Sequence, residues 1–181
     1  MKKQIPPKHA RTLAIAPSTR GFGFAVLEEH NTLVDWGVKS VTGDKNSRSI
    51  AKMEELIAHY EPAVLVLQDT STKHSRRAPR IRALSRQILA MAVRCKVSAA
   101  LFSAEQVRQA FFADGKGTKH ALAEILANRF PDELGSRLPP KRRPWMSEDY
   151  RMDIFDAVAL ALVFRLKNVK ETARVEAFLE N

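Results

Sequence analysis

Cysteine is nearly absent: Cys95 stands alone in 181 residues. A lone cysteine excludes an internal disulfide and a cysteine-built zinc site, and Cys95 itself reads as a buried apolar residue. Long hydrophobic runs are missing too. No stretch approaches the roughly 20 apolar residues of a membrane-spanning helix. The opening MKKQIPPKHAR is basic and lacks a following apolar signal core, so residues 1–11 are expected to form a flexible arm and the protein to be cytoplasmic. There is no internal repeat and no low-complexity tract. Negative charge is the minority: thirty Lys+Arg face twenty Asp+Glu, a net charge of +10. An excess of that size is the electrostatic footprint of a nucleic-acid binder.

What is present suits one globular domain. Hydrophobic residues make up 45% and charged residues 28%, and the length permits a sizeable core. Thr12 to Ile15, Phe22 to Leu27 and Leu33 to Val41 read as a three-strand meander, with Gly37 placing a bend in the third strand. Ser47 is expected to cap a helix to about Tyr60, with Ile50, Met53, Leu56 and Ile57 on one face. Ala63 to Leu67 is a continuous apolar run, the mark of a parallel strand covered on both faces. A helix from Pro79 to about Lys96, a strand at Val97 to Phe102, and a helix opened by the Ser103/Gln106 capping box follow. Thr118 caps a helix over Lys119 to Phe130, residues 131–146 read as loop, and a last helix is expected from Ser147 to Leu166 with a weaker helical tail. Meander strands, then alternating strands and helices, predict an α/β fold with a mixed central sheet flanked by helices.

Three acids carry the chemistry. Asp153 and Asp156 are three apart and share a helix face, at the margin of a strongly apolar segment where a bare carboxylate is costly unless paired or bound to a cation. Acids near a helix start are also favoured by the macrodipole, which accounts well for Glu148 and Asp149. Asp69 sits at the end of the buried strand, where active-site groups gather in open α/β sheets. It also fits a turn-initiating role before Thr70 and Ser71, and Gln68 faces the opposite side. Such acids offer the oxygen ligands that Mg²⁺ or Mn²⁺ prefer. A pair of these ions would activate water and stabilise the leaving oxygen of a phosphodiester. Lys116 and Lys119 follow glycines near a helix start, which favours phosphate approach. Arg76, Arg77 and Arg80, in the basic stretch 76–86, and the run Lys141, Arg142, Arg143 would supply salt-sensitive contacts to a nucleic-acid backbone, or else form a solvated basic face. Phe22 and Trp145 are candidate stacking residues, or else packing residues.

In order and spacing, LAIAPSTRGFGFAVLE, AVLVLQDTS, FSAEQVRQAFFADGKGTK and MDIFDAVALALVF resemble the RuvC family of Holliday-junction resolvases, within the RNase H-like superfamily, across roughly residues 12–166. The resemblance implies a sheet of three antiparallel strands followed by parallel ones. It also implies Mg²⁺-dependent hydrolysis by four acidic ligands, and homodimers acting on branched DNA. It places the helix acids at Asp153 and Asp156, the middle-strand acid at Asp69 or Gln68, and the loop lysine at Lys119 or Lys116. The first-strand aspartate of LxIDPGx falls on Ala16. Its absence should remove most of the rate, whether the alanine is natural or introduced. Two functions follow: a two-metal endonuclease scaffold disabled by Ala16, or a non-catalytic nucleic-acid-binding subunit of a larger complex. An ATPase or sugar kinase would need paired glycine-rich loops, and only GFG at 21–23 and GKG at 115–117 come near that.

Overall fold

The computed structural model describes residues 10–71 and 78–179; at His30 and from residue 169 onward it describes the backbone alone. Strands β1 (Thr12–Pro17), β2 (Gly21–Leu27) and β3 (Leu33–Ser40) form the meander. Helix α1 (Lys45–Tyr60) leads to β4 (Val64–Gln68), and α2 (Pro79–Arg94) leads to β5 (Ser98–Phe102). Helices α3 (Ala104–Phe111), α4 (Lys119–Arg129), the short α5 (Pro131–Leu134) and α6 (Met152–Leu179) complete the chain. The sheet order is β3-β2-β1-β4-β5, with β1 antiparallel to β2 and parallel to β4. Among the described residues no helix is long and apolar enough to cross a membrane.

Alternation along the strands sorts side chains into two layers. Leu13 and Ile15 of β1, Phe22, Phe24 and Val26 of β2, and Leu65 and Leu67 of β4 pack with α1 and α2. Ala14 and Ala16 of β1, Ala25 and Leu27 of β2, and Val64 and Val66 of β4 pack with α3, α4 and α6. The second face is built from smaller residues near β1, and α6 lies close upon it. Gly23 makes the closest approach. It pairs with Ala16 in register, and a Cβ there would lie 2.1 Å from the Asp153 carbonyl oxygen.

Several local readings need correction. Asp44, not Ser47, caps α1: its carboxylate accepts from the Ser47 backbone N–H at 3.3 Å and from Ser47 Oγ at 2.7 Å. The sheet irregularity falls between Val26 and Leu27 rather than at Gly37. Residues 131–146 are not all loop, since α5 buries Leu134 completely. Ala10 and Arg11 are docked rather than free: Arg11 Nε donates to Glu28 at 2.7 Å, and the Ala63 N–H donates to the Arg11 carbonyl at 2.9 Å. The remainder of the expected arm, residues 1–9, lies outside the described residues. The last helix begins at Met152, five residues later than expected, and runs unbroken to Leu179. The delay has a local cause. Asp149 accepts from the Arg151 backbone N–H at 2.9 Å and from its guanidinium at 3.0 and 2.8 Å, an Asx-type turn that competes with helix.

Candidate functional site

The C-terminal ends of β1 and β4 lie side by side in the parallel part of the sheet, and the first turns of α6 cross them. Ala16 is buried on the α6 face. Its register partner Gly23 lies directly beneath Asp153, since a Cβ at 23 would also come within 2.8 Å of the Asp153 Cβ. Asp153 is therefore brought beside residue 16, in the first turn of α6 rather than deeper inside it. Burial pushes its carboxyl up to about 6; Asp156 and Glu148 push the same way, while Ser18 and Lys119 pull it back. The buried Ser18 hydroxyl favours the ionised form without closing a full hydrogen bond.

Asp156 is one turn on. Lys119, the first residue of α4, donates to Asp156 Oδ2 at 2.9 Å and to Glu148 Oε1 at 2.8 Å. Burial alone would lower the Lys119 pKa, but the two carboxylates overcome it and the ammonium is held above its ordinary value. The Thr118 side chain accepts from the Ala121 N–H at 3.1 Å and fixes the start of α4, so the lysine is aimed at the corner by its own cap.

The strand register decides between Gln68 and Asp69. Val64 and Val66 face α6, so Gln68 continues that row, and it lines a cavity of about 110 Å³ with Lys119 and Asp156. Asp69 lies just beyond the strand. Its carboxylate accepts from the Ser71 backbone N–H at 2.8 Å and from Ser71 Oγ at 2.7 Å, while its own N–H donates to the Phe102 carbonyl at 2.8 Å. Asp69 is placed as a turn residue, and the structure does not bring it together with the two helix acids.

Two hard cations need several anionic oxygens in one place. Here a methyl group and an amide stand at the two strand ends, and an ammonium already holds Asp156. Among the described residues no three His, Cys, Asp or Glu side chains gather closely enough to hold a metal ion. The residues present do not fit the expected Mg²⁺ or Mn²⁺ pair, because Asp69, whose Oδ1 is engaged by Ser71, does not gather with Asp153 and Asp156.

No family model matches the sequence, and no curated protein matches it. Solved structures do match in fold. Thermus thermophilus RuvC aligns with a TM-score of 0.62 at 18% identity, over 84% of this chain and 92% of that one. The same protein in complex with a Holliday junction substrate aligns at 0.63 and 19%, over 86% and 92%. The yeast mitochondrial Holliday junction resolvase Ydc2 aligns at 0.58 and 14%, over 85% and 77%. This chain has the RuvC-like, RNase H-like fold.

Within that RuvC-like fold the basic candidates separate. Arg80 is consumed internally: its guanidinium donates to the Ser18 carbonyl at 2.8 Å and to Asn46 Oδ1 at 2.9 Å, tethering α2 to the β1–β2 turn. Lys116, Lys141, Arg142 and Arg143 are exposed. Arg76 and Arg77 lie outside the described residues. Phe22 is fully buried and belongs to the core, not to a stacking surface. Sequence reasoning missed Glu148, which shares Lys119 with Asp156; its distance of 29 residues from the lysine left no local signal.

Proposed function

We propose that residues 12–179 act as one RuvC-type domain that binds branched or structured DNA and, with its metal-binding corner disarmed, does not cut it. One observation carries this reading. The two strand ends that meet α6 present Ala16 and Gln68, neutral groups, while Lys119 ties up Asp156 together with Glu148. The net charge of +10 and the exposed cations of the 141–143 run supply an attraction for phosphates. A second copy completes the proposal. Exposed Val93 of α2 and Leu101 of the edge strand β5 offer apolar surface on which it can pack, and sedimentation would measure this.

The test uses a synthetic branched junction and the matching linear duplex, with Mg²⁺ or Mn²⁺ present. The unaltered chain is expected to prefer the junction, to lose affinity steeply as salt rises, and to leave the DNA intact. The double variant Ala16→Asp with Gln68→Glu is expected to bind the cation and to gain cleavage. Cleavage by the unaltered chain, or indifference between junction and duplex, would overturn the reading.

A further inference from the structure

Lys119 also borders a second cavity, of about 360 Å³, that the acid corner does not use. That volume lies within the range of small-ligand sites. Pro139, Pro140, Met146 and Tyr150 give it apolar walls, and Arg20 and Arg142 stand at its rim. The acids in its lining are already committed: Glu148 to Lys119 at 2.8 Å, and Asp149 to Arg151 at 2.8 Å. Arg20 and Arg142 enter no salt bridge among the described residues, although Arg20 is near enough to Asp149 to help hold its carboxyl down. The free charge facing the cavity is therefore positive.

The segment that builds most of this wall, residues 138–151, has no helix or strand. It nevertheless holds aromatic rings out in solvent. Trp145 is 76% exposed and Tyr150 50% exposed. The Arg143 guanidinium lies 5.6 Å from the Trp145 ring centre, so charge and ring form one platform. Exposed rings interleaved with unpaired arginines are the chemistry that grips single-stranded nucleic acid: bases stack on the rings and cations track the phosphates.

We propose that this cavity takes an unpaired nucleobase against Tyr150, with its flanking phosphates on Arg20 and Arg142, while Trp145, next in sequence to the lining residue Met146 but outside the cavity itself, offers its exposed ring to an adjoining base. A paired base is held in its stack and cannot enter; a nucleotide splayed out at a branch point or in a single strand can. The inference deepens the DNA-binding reading and rests on it, because it names the part of the substrate that the loop holds.

The test titrates the full chain with a short oligothymidylate, with a junction carrying unpaired nucleotides at its branch point, and with a linear duplex. Trp145→Ala and Tyr150→Ala remove exposed rings, and thermal melts check that folding is unchanged. Oligothymidylate is expected to quench the tryptophan emission of the unaltered chain, and the quench should vanish in Trp145→Ala. Each variant is expected to lose about tenfold in affinity for oligothymidylate and for the junction, while duplex affinity stays unchanged. Loop variants that lose nothing, or lose equally on duplex, would overturn the inference while leaving a junction preference standing. Ring-dependent binding of oligothymidylate without any junction preference would do the reverse. A chain that binds none of the three would end both.

Discussion

The two faces of the sheet are built on opposite principles. Toward α1 and α2 the strands present Leu13, Ile15, Phe22, Phe24, Leu65 and Leu67, large side chains that fill a conventional core. Toward α6, near β1, they present Ala14, Ala16, Gly23 and Ala25, and α6 answers with Ala157, Ala159 and Ala161. The first face stabilises through burial and tolerates modest change in volume. The second stabilises through close approach, and that approach brings Asp153 and Asp156 over the strand ends. The same smallness explains why an alanine at residue 16 leaves the fold intact. It packs like its neighbours Ala14 and Ala25.

Adding one methyl group on the α6 face should do more harm than deleting one from the other. Gly23→Ala would drive a Cβ to 2.1 Å from the Asp153 carbonyl, a backbone atom that cannot rotate away. A loss of about 3 kcal/mol or more is expected in urea unfolding. A near-neutral result would mean that α6 does not sit as close as described. Ala16→Asp alone places a further carboxylate at a buried position beside Asp153. It is expected to cost about 2 kcal/mol at pH 8 and markedly less at pH 4, where that carboxylate can take up a proton. Equal cost at both pH values would place residue 16 away from the acids.

Asp153→Asn is expected to stabilise the protein. The folded pKa of about 6 lies above the ordinary carboxyl value, so the folded state holds a proton more tightly than the unfolded chain does. The contribution of Asp153 is therefore fullest below about pH 4 and is lost as pH rises through 6. Replacing it by the neutral amide should gain roughly 1–2 kcal/mol at pH 7 and little at pH 4, read as a shift in melting temperature. A stabilisation that does not depend on pH would argue against burial as the cause. Ile15→Val supplies the reference on the bulky face: one methylene lost from a buried site, about 1 kcal/mol. If it costs as much as Gly23→Ala, the contrast between the faces is false.

Much of the fold was legible in short stretches. The short apolar strands, the Ser103/Gln106 capping box and the Thr118 cap all depend on residues a few positions apart, and each forms close to where it was expected. The start of α6 was not legible, because the Asp149–Arg151 turn imitates the acid-rich opening of a helix. Of the residues singled out, Lys119 meets Asp156, and Asp153 lies over Gly23, the register partner of Ala16. Glu148 was not among them, and the strand-end neighbour was left between Asp69 and Gln68.

By itself the sequence determined most of the elements, the buried character of β4 and the excess of positive charge, because each is set by spacing or composition along the chain. Only the tertiary structure decided that Gln68 rather than Asp69 turns toward α6, and that Lys119 closes on Asp156 and Glu148. Side-chain direction at a strand end follows from register against distant strands, where a slip of one residue reverses the face. Ion pairs across tens of residues exist only once the helices have packed.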